Sequence, residues 1–134
     1  MKGKILIVDD ELSIRNLFEE VLSEAGYDVR LSENGELALD ILQEEDIDVI
    51  FLDLRLFGMN GIELCRNIRK TNPLSIIYAM TGWAALFEIE ECREAGFDDY
   101  FTKPVSPEML STAVEDAFEK LGRWKRRYDV LKKG

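Results

Sequence analysis

The residue that most calls for a chemical explanation is Asp53, which follows the unbroken apolar run Val49-Ile50-Phe51-Leu52. Burying an unpaired carboxylate costs several kcal/mol as an order of magnitude, so Asp53 must sit at an open strand end or have partners. The chain repeats the pattern. Lys4 to Val8 runs into Asp9-Asp10-Glu11, Ser75 to Met80 into Thr81-Gly82, and Asp99 to Thr102 into Lys103-Pro104. If these ends meet, three carboxylates share a site with one hydroxyl and one ammonium. Carboxylates so crowded repel and raise at least one pKa unless a cation intervenes. An all-oxygen donor set with no histidine or cysteine suits Mg²⁺ and disfavours zinc. A carboxylate beside such an ion can accept a phosphoryl group. Lys103 and Thr81 would meet the oxygens of that group, and Gly82 would let its backbone come close.

Each residue also has a plainer reading. A lone aspartate at a strand end is usually a turn or cap, Thr-Gly an ordinary turn, and Lys-Pro an ordinary loop. The chemical reading rests on all of them reaching one edge, which is a matter of topology. Ile14, Leu17, Phe18, Val21, Leu22 and Ala25 recur at helical spacing up to Gly26, and Tyr27 to Leu31 reads as a short strand. Asn34-Gly35 opens a second helix with Leu37, Ala38, Ile41 and Leu42 inward, Asn being a favoured cap. Phe57 to Gly61 reads as a loop, and Ile62, Cys65 and Ile68 mark a third helix that ends before Asn72-Pro73. Residues 84–95 form a weaker fourth helix with Leu86, Phe87, Ile89 and Cys92, and Ser106-Pro107-Glu108 starts a fifth. Strand and helix alternate five times with short connections. The fold class is therefore α/β, a doubly wound five-stranded parallel sheet with helices on both faces, and the carboxyl ends of its strands share one edge.

Composition narrows the function. With 134 residues the chain is most simply one domain. A formal net charge of −10 argues against a general nucleic-acid or membrane surface. The charge is uneven: residues 1–121 hold 11 basic and 26 acidic side chains, residues 122–134 hold 6 and 1. No histidine is present, so no imidazole base or phosphohistidine comes from this chain. Cys65 and Cys92 fit no metal-ligand spacing and read as buried, reduced thiols. The start MKGKILIVDD lacks the features of a signal peptide, and a cytoplasmic location is expected.

The ordered segments ILIVDDE at 5–11, DLRLFGMNGIEL at 53–64, MTG at 80–82 and FTKP at 101–104 resemble the receiver domain of two-component response regulators, over residues 4–121. The resemblance implies a phosphorylation-dependent signalling switch. Asp53 would be the phosphoacceptor, Asp10 a direct Mg²⁺ ligand, Asp9 a ligand mainly through water, and the Arg55 carbonyl a further ligand. Thr81 would be the switch hydroxyl, Lys103 its cationic partner, and Tyr100 the aromatic that turns inward with Thr81. Lys103-Pro104 would be a cis peptide. The phosphoryl group would come from a sensor histidine kinase or a histidine phosphotransfer protein, and the output would go to a downstream protein target. The chain would catalyse only its own phosphorylation and dephosphorylation. It departs from the family pattern at Leu56-Phe57, where Met-Pro is common, which puts a large apolar group beside the site. Trp83 is expected either to overhang the acyl phosphate and limit attack by water or to lie on the surface at the start of a helix.

Leu110, Val114, Ala117, Leu121, Trp124, Tyr128 and Leu131 form a heptad seam that outlasts the body. Residues 1–121 are expected to be the receiver domain and 122–134 a basic helical extension or linker. The extension is expected to dock on a partner or form a homodimer through the last helix; the rival reading is a frayed linker to an output domain. Neither a membrane nor a nucleic acid is expected to bind this chain directly. Two other functions come from different classes. An aspartyl-nucleophile Mg²⁺-dependent phosphatase would want an Asp-x-Asp at the first strand, which Asp9-Asp10-Glu11 does not supply. A flavin carrier would want a donor-rich loop there, and three acids would repel its phosphate.

Overall fold

The computed structural model describes residues 2–82 and 85–133. Its elements run β1 (Lys4–Val8), α1 (Leu12–Glu24), β2 (Asp28–Ser32), α2 (Gly35–Glu44), β3 (Val49–Asp53), β4 (Arg55–Leu56), β5 (Met59–Asn60), α3 (Gly61–Thr71), β6 (Ile76–Thr81), α4 (Leu86–Ala95), β7 (Asp99–Thr102) and α5 (Pro107–Lys133). Five strands form one parallel sheet in the order β2-β1-β3-β6-β7. The expected doubly wound architecture is what the chain adopts.

Side chains alternate across the sheet and fill two cores. Ile5, Ile7, Val49 and Phe51 face one side with Phe18, Leu22, Leu110, Val114 and Ala117. Leu6, Val8, Ile50 and Leu52 face the other with Ala38, Leu64, Cys65, Ile68 and Cys92. Because β3 is covered on both faces, all five of its residues are buried and its sequence is uniformly apolar up to Asp53. Aromatic contacts brace the first core: Phe51 meets Phe18 and Tyr78 edge-on at centroid distances of 6.1 and 5.3 Å, and Tyr78 meets Phe101 at 5.2 Å. Such contacts add about 0.5–1.5 kcal/mol each beyond burial. Cys65 and Cys92 are free and buried, and burial pushes the Cys65 thiol up to about 11.

Caps set the helix starts. Asn34 Oδ1 accepts from the Leu37 N–H at 2.9 Å, Asn60 Oδ1 from Glu63 at 2.8 Å, and Ser106 Oγ from Met109 at 3.1 Å.

Two expectations need correction. Leu17 and Leu37, assigned to inner helix faces, are exposed, and so are Leu86 and Phe87 of α4. Those helices meet the sheet through Phe18 and Leu22 with Ile14 and Val21 in α1, Ala38 with Ile41 and Leu42 in α2, and Cys92 and Ala95 in α4. The segment read as a loop after Leu56 is a tight antiparallel hairpin instead, pairing Arg55 with Asn60 and Leu56 with Met59. Phe57 stands at its tip, 89% exposed, next to Gly58 with φ +85°. The helix α5 continues through Gly122 without a break to Lys133.

Candidate functional site

Register builds the site. Val8 pairs with Leu52, so Asp9 leaves β1 level with Asp53 at the end of β3. Asp53 pairs with Met80, which puts Thr81 one residue further out, and Thr81 pairs with Thr102, which delivers Lys103. The strand order reverses between β1 and β3, and the crevice at such a reversal is where open α/β sheets hold their ligands.

The expected residues meet there. Carboxylate oxygens of Asp9, Asp10 and Asp53 lie within 4.8 Å of one another. Asp9, Asp53 and Thr81 are buried, at 0%, 5% and 1% exposure, while Asp10 faces solvent. Lys103 Nζ lies 2.9 Å from Asp9 Oδ2 and 3.1 Å from Asp53 Oδ2, and 3.9 Å from Glu11. The other oxygen of Asp53 accepts from the Arg55 backbone N–H at 3.1 Å, and Asp9 Oδ1 accepts from the Glu11 N–H at 2.9 Å. The Lys103 N–H donates to the Thr81 carbonyl at 2.7 Å, which ties the two strand ends together. The Lys103-Pro104 peptide is cis, as expected.

The electrostatics follow from crowding in a partly dry site. Burial raises the Asp53 carboxyl above the ordinary range; the Arg55 N–H and Lys103 pull it back, and Asp9 adds to the rise. Burial alone would lower the Lys103 ammonium, but its close contacts with the Asp9 and Asp53 carboxylates outweigh it and raise it. Asp9 Oδ2 is buried with no aligned hydrogen bond, its contact with Lys103 being one of charge alone. A buried oxygen left so under-satisfied is costly, and it points into the cluster of acids.

That observation bears on a metal. An octahedral Mg²⁺ at about 2.1 Å from each ligand spaces its oxygens about 3–4.2 Å apart, close to the spread seen here. Three carboxylates carry more charge than Lys103 balances, and the donors are all oxygen. The residues present fit Mg²⁺.

Several contributors were not visible in the sequence. Arg15 Nη1 donates to the Asp9 carbonyl at 2.7 Å and steadies the acidic turn. Arg55 pairs with Glu88 at 3.2 Å, joining the segment after Asp53 to the first turn of α4. Gly61 is the one of these with a sequence signal, as a glycine at a helix start. A Cβ there would come within 2.4 Å of the Asp53 carbonyl oxygen and 2.8 Å of Leu54 Cα. Only glycine lets α3 begin against the acceptor strand. Tyr100 is 40% exposed on β7. Trp83, expected over the site, lies outside the described residues.

A doubly wound sheet with an acidic crevice at its switch point, an acceptor-placed aspartate and a lysine bridging two carboxylates defines a narrow class. The sequence profile described as "Response regulator receiver domain" matches residues 5–115. The chain belongs to this family. It is 36% identical over 115 residues to sporulation initiation phosphotransferase F of Bacillus subtilis (strain 168), covering 86% of this chain and 93% of that one. It is 38% identical over 114 residues to the uncharacterized transcriptional regulatory protein YrkP of the same organism, covering 85% of this chain but 48% of YrkP. The chain thus spans about half of that relative's length. Among solved structures, a CheY-like receiver domain from Methanospirillum hungatei JF-1 superposes with a TM-score of 0.88 at 28% identity, covering 90% of this chain and 97% of that one. As a receiver domain of the two-component systems, the chain is a phosphorylation-dependent signalling switch. Among the described residues, no helix is long and apolar enough to cross a membrane.

Proposed function

We propose that the chain takes a phosphoryl group onto Asp53 from a phosphohistidine of a partner kinase or phosphotransfer protein, with Mg²⁺ as cofactor. The observation that carries this is the position of Asp53, buried at the carboxyl end of a fully buried strand with one oxygen on the Arg55 N–H and the other on Lys103. A carboxylate oxygen of Asp53 attacks phosphorus, the P–N bond to the donor imidazole breaks, and the electron pair leaves with the imidazole. The chain has no histidine, so the donor is external.

The Arg55 N–H fixes the rotation of the Asp53 carboxylate, which limits the entropy lost in reaching the reactive geometry. Lys103, already 3.1 Å from that carboxylate, offers its charge to a phosphoryl oxygen. Thr81, one residue beyond the level of Asp53, would donate its hydroxyl to another. Asp10, Asp53, the Arg55 carbonyl and, chiefly through water, Asp9 would hold the metal. Mg²⁺ would neutralise charge on the transferring group and relieve the repulsion among the acids. Movement of Thr81 toward the phosphoryl group would free space for Tyr100 to turn inward and alter the surface read by a downstream protein. On this reading the only reactions catalysed are the protein's own phosphorylation and dephosphorylation. No feature of the site favours the phosphatase alternative.

Incubation with Mg²⁺ and a small acyl phosphate, followed by intact mass measurement, tests the proposal. One added phosphate that needs both Mg²⁺ and Asp53 supports it; addition that persists in Asp53→Ala removes it.

A further inference from the structure

The C-terminal part of α5 carries an apolar face that its own body does not cover. Trp124, Tyr128 and Leu131 are 60%, 64% and 81% exposed. Arg127 and Lys132 lie over the Trp124 and Tyr128 rings, at 5.7 and 5.8 Å from their centroids. Chemistry complementary to this face is found at the other end of the same helix. A groove of about 330 Å³ runs between β7 and the first turns of α5. Phe101, Met109 and Tyr78 give it an apolar lining, Asp99, Glu108 and Asp116 make it acidic, and among the described residues no basic side chain lines it. The acidity is felt at the Tyr78 phenol, which burial, with Asp98, Asp99 and Asp116 adding, pushes up to about 12.

We propose that this groove receives the basic aromatic tail helix of a second copy of the chain, and that the exchange is reciprocal. Charge selects the occupant: the tail beyond Gly122 holds six basic side chains and one acid, whereas the charged side chains that line the groove are all acids. Two tails pairing side by side in a coiled coil would set those basic clusters against each other. The tail cannot fill its own groove, because both belong to one unbroken helix. The spacing fits a two-fold arrangement. Groove residues 108–116 and tail residues 124–132 lie at equal distances on either side of Lys120. A two-fold axis passing beside α5 at the level of Lys120 pairs Glu108 with Lys132, Met109 with Leu131 and Thr112 with Tyr128, and runs the two helices antiparallel. Thr112 and Tyr128 are roughly 24 Å apart along the helix, so each tail reaches well past the axis onto the partner's body. One short helix in one groove would fall below the roughly 1,600 Å² of a standard interface; the symmetric repeat doubles the contact.

The docking needs no phosphoryl group, so its test is run without one and stands apart from the proposal for Asp53. Sedimentation equilibrium of the full chain in EDTA is compared with two doubly substituted chains. One reverses the groove (Glu108→Lys with Asp116→Lys) and the other reverses the tail (Arg127→Glu with Lys132→Glu). All four positions are exposed, and circular dichroism checks that each chain is folded. The parent chain is expected to dimerise, more weakly as salt rises. Either reversal alone should weaken dimerisation at least about tenfold, and an equimolar mixture should restore it, since both contacts in the mixed pair again join opposite charges. A parent chain monomeric at every concentration overturns the proposal. So does a dimer indifferent to the groove reversal, which would mean tail-to-tail pairing, or a mixture that fails to recover.

Discussion

Lys103→Met keeps the aliphatic stem and removes the ammonium that bridges two buried carboxylates. At 2.9 and 3.1 Å, and with an effective dielectric of about 20, each attraction is worth about 5–6 kcal/mol before desolvation of the ammonium is set against it. The net loss is capped by another route, which is to protonate one carboxyl of the pair. At pH 7, protonating an aspartate of ordinary pKa costs about 4 kcal/mol; at pH 5.5 it costs about 2. The variant should therefore lose roughly 4 kcal/mol at pH 7 and roughly 2 at pH 5.5, measured by urea unfolding in EDTA. The sign follows from linkage. Between the ordinary carboxylate pKa and the raised one, the folded variant binds more protons than the unfolded chain, so its stability falls as pH rises. Burial already raises Asp53 in the parent chain, and loss of its Lys103 partner moves it further the same way. In thermal unfolding the pH 7 loss corresponds to a midpoint lower by roughly 10–15 °C. A loss below about 1 kcal/mol, or one equal at both pH values, would refute the reasoning, because Lys103 would not then be holding two buried charges.

Other substitutions separate the site from the scaffold. Asp53→Asn takes one carboxylate out of the crowded cluster. Because the Asp53 carboxyl is raised in the folded state, its anion opposes folding, and the melting midpoint in EDTA should rise by a few degrees, on the order of 1 kcal/mol. Gly61→Ala pushes a methyl group into the Asp53 carbonyl and should cost about 1–3 kcal/mol by urea unfolding, with slower phosphoryl uptake from a small acyl phosphate. Asn34→Ala, which removes a helix cap but no member of the acidic cluster, should cost about 1 kcal/mol and leave that uptake rate unchanged.

What was legible in the sequence was local in origin. The run Val49-Ile50-Phe51-Leu52 marks a strand buried on both faces, and an aspartate ending such a run stands out against it. Asn34 and Ser106 announce helix starts through their own side chains. Topology then does the rest, since parallel strands put Asp9, Asp53, Thr81 and Lys103 on one edge whatever their separation in the chain. Features set by tertiary packing were hidden. Leu17 and Leu37 keep helical spacing with buried neighbours, yet the stripe that is covered depends on how each helix crosses the sheet. The Leu56-Met59 ladder closes around Phe57-Gly58 with too few residues for any alternation to show. The Arg55–Glu88 pair and the Arg69 contacts with Gly96 and Asp98 join residues far apart in the chain, where local pattern carries no signal.

The most direct test of the central claim locates the phosphoryl group. The protein is treated with Mg²⁺ and a small acyl phosphate, reduced at once with borohydride, digested and sequenced by mass spectrometry. Borohydride converts an aspartyl phosphate to homoserine, so the account predicts homoserine at position 53 and nowhere else, and none when EDTA replaces Mg²⁺. Homoserine at Asp9 or Asp10, or a stable phosphoryl group on a hydroxyl such as Thr81, would contradict it.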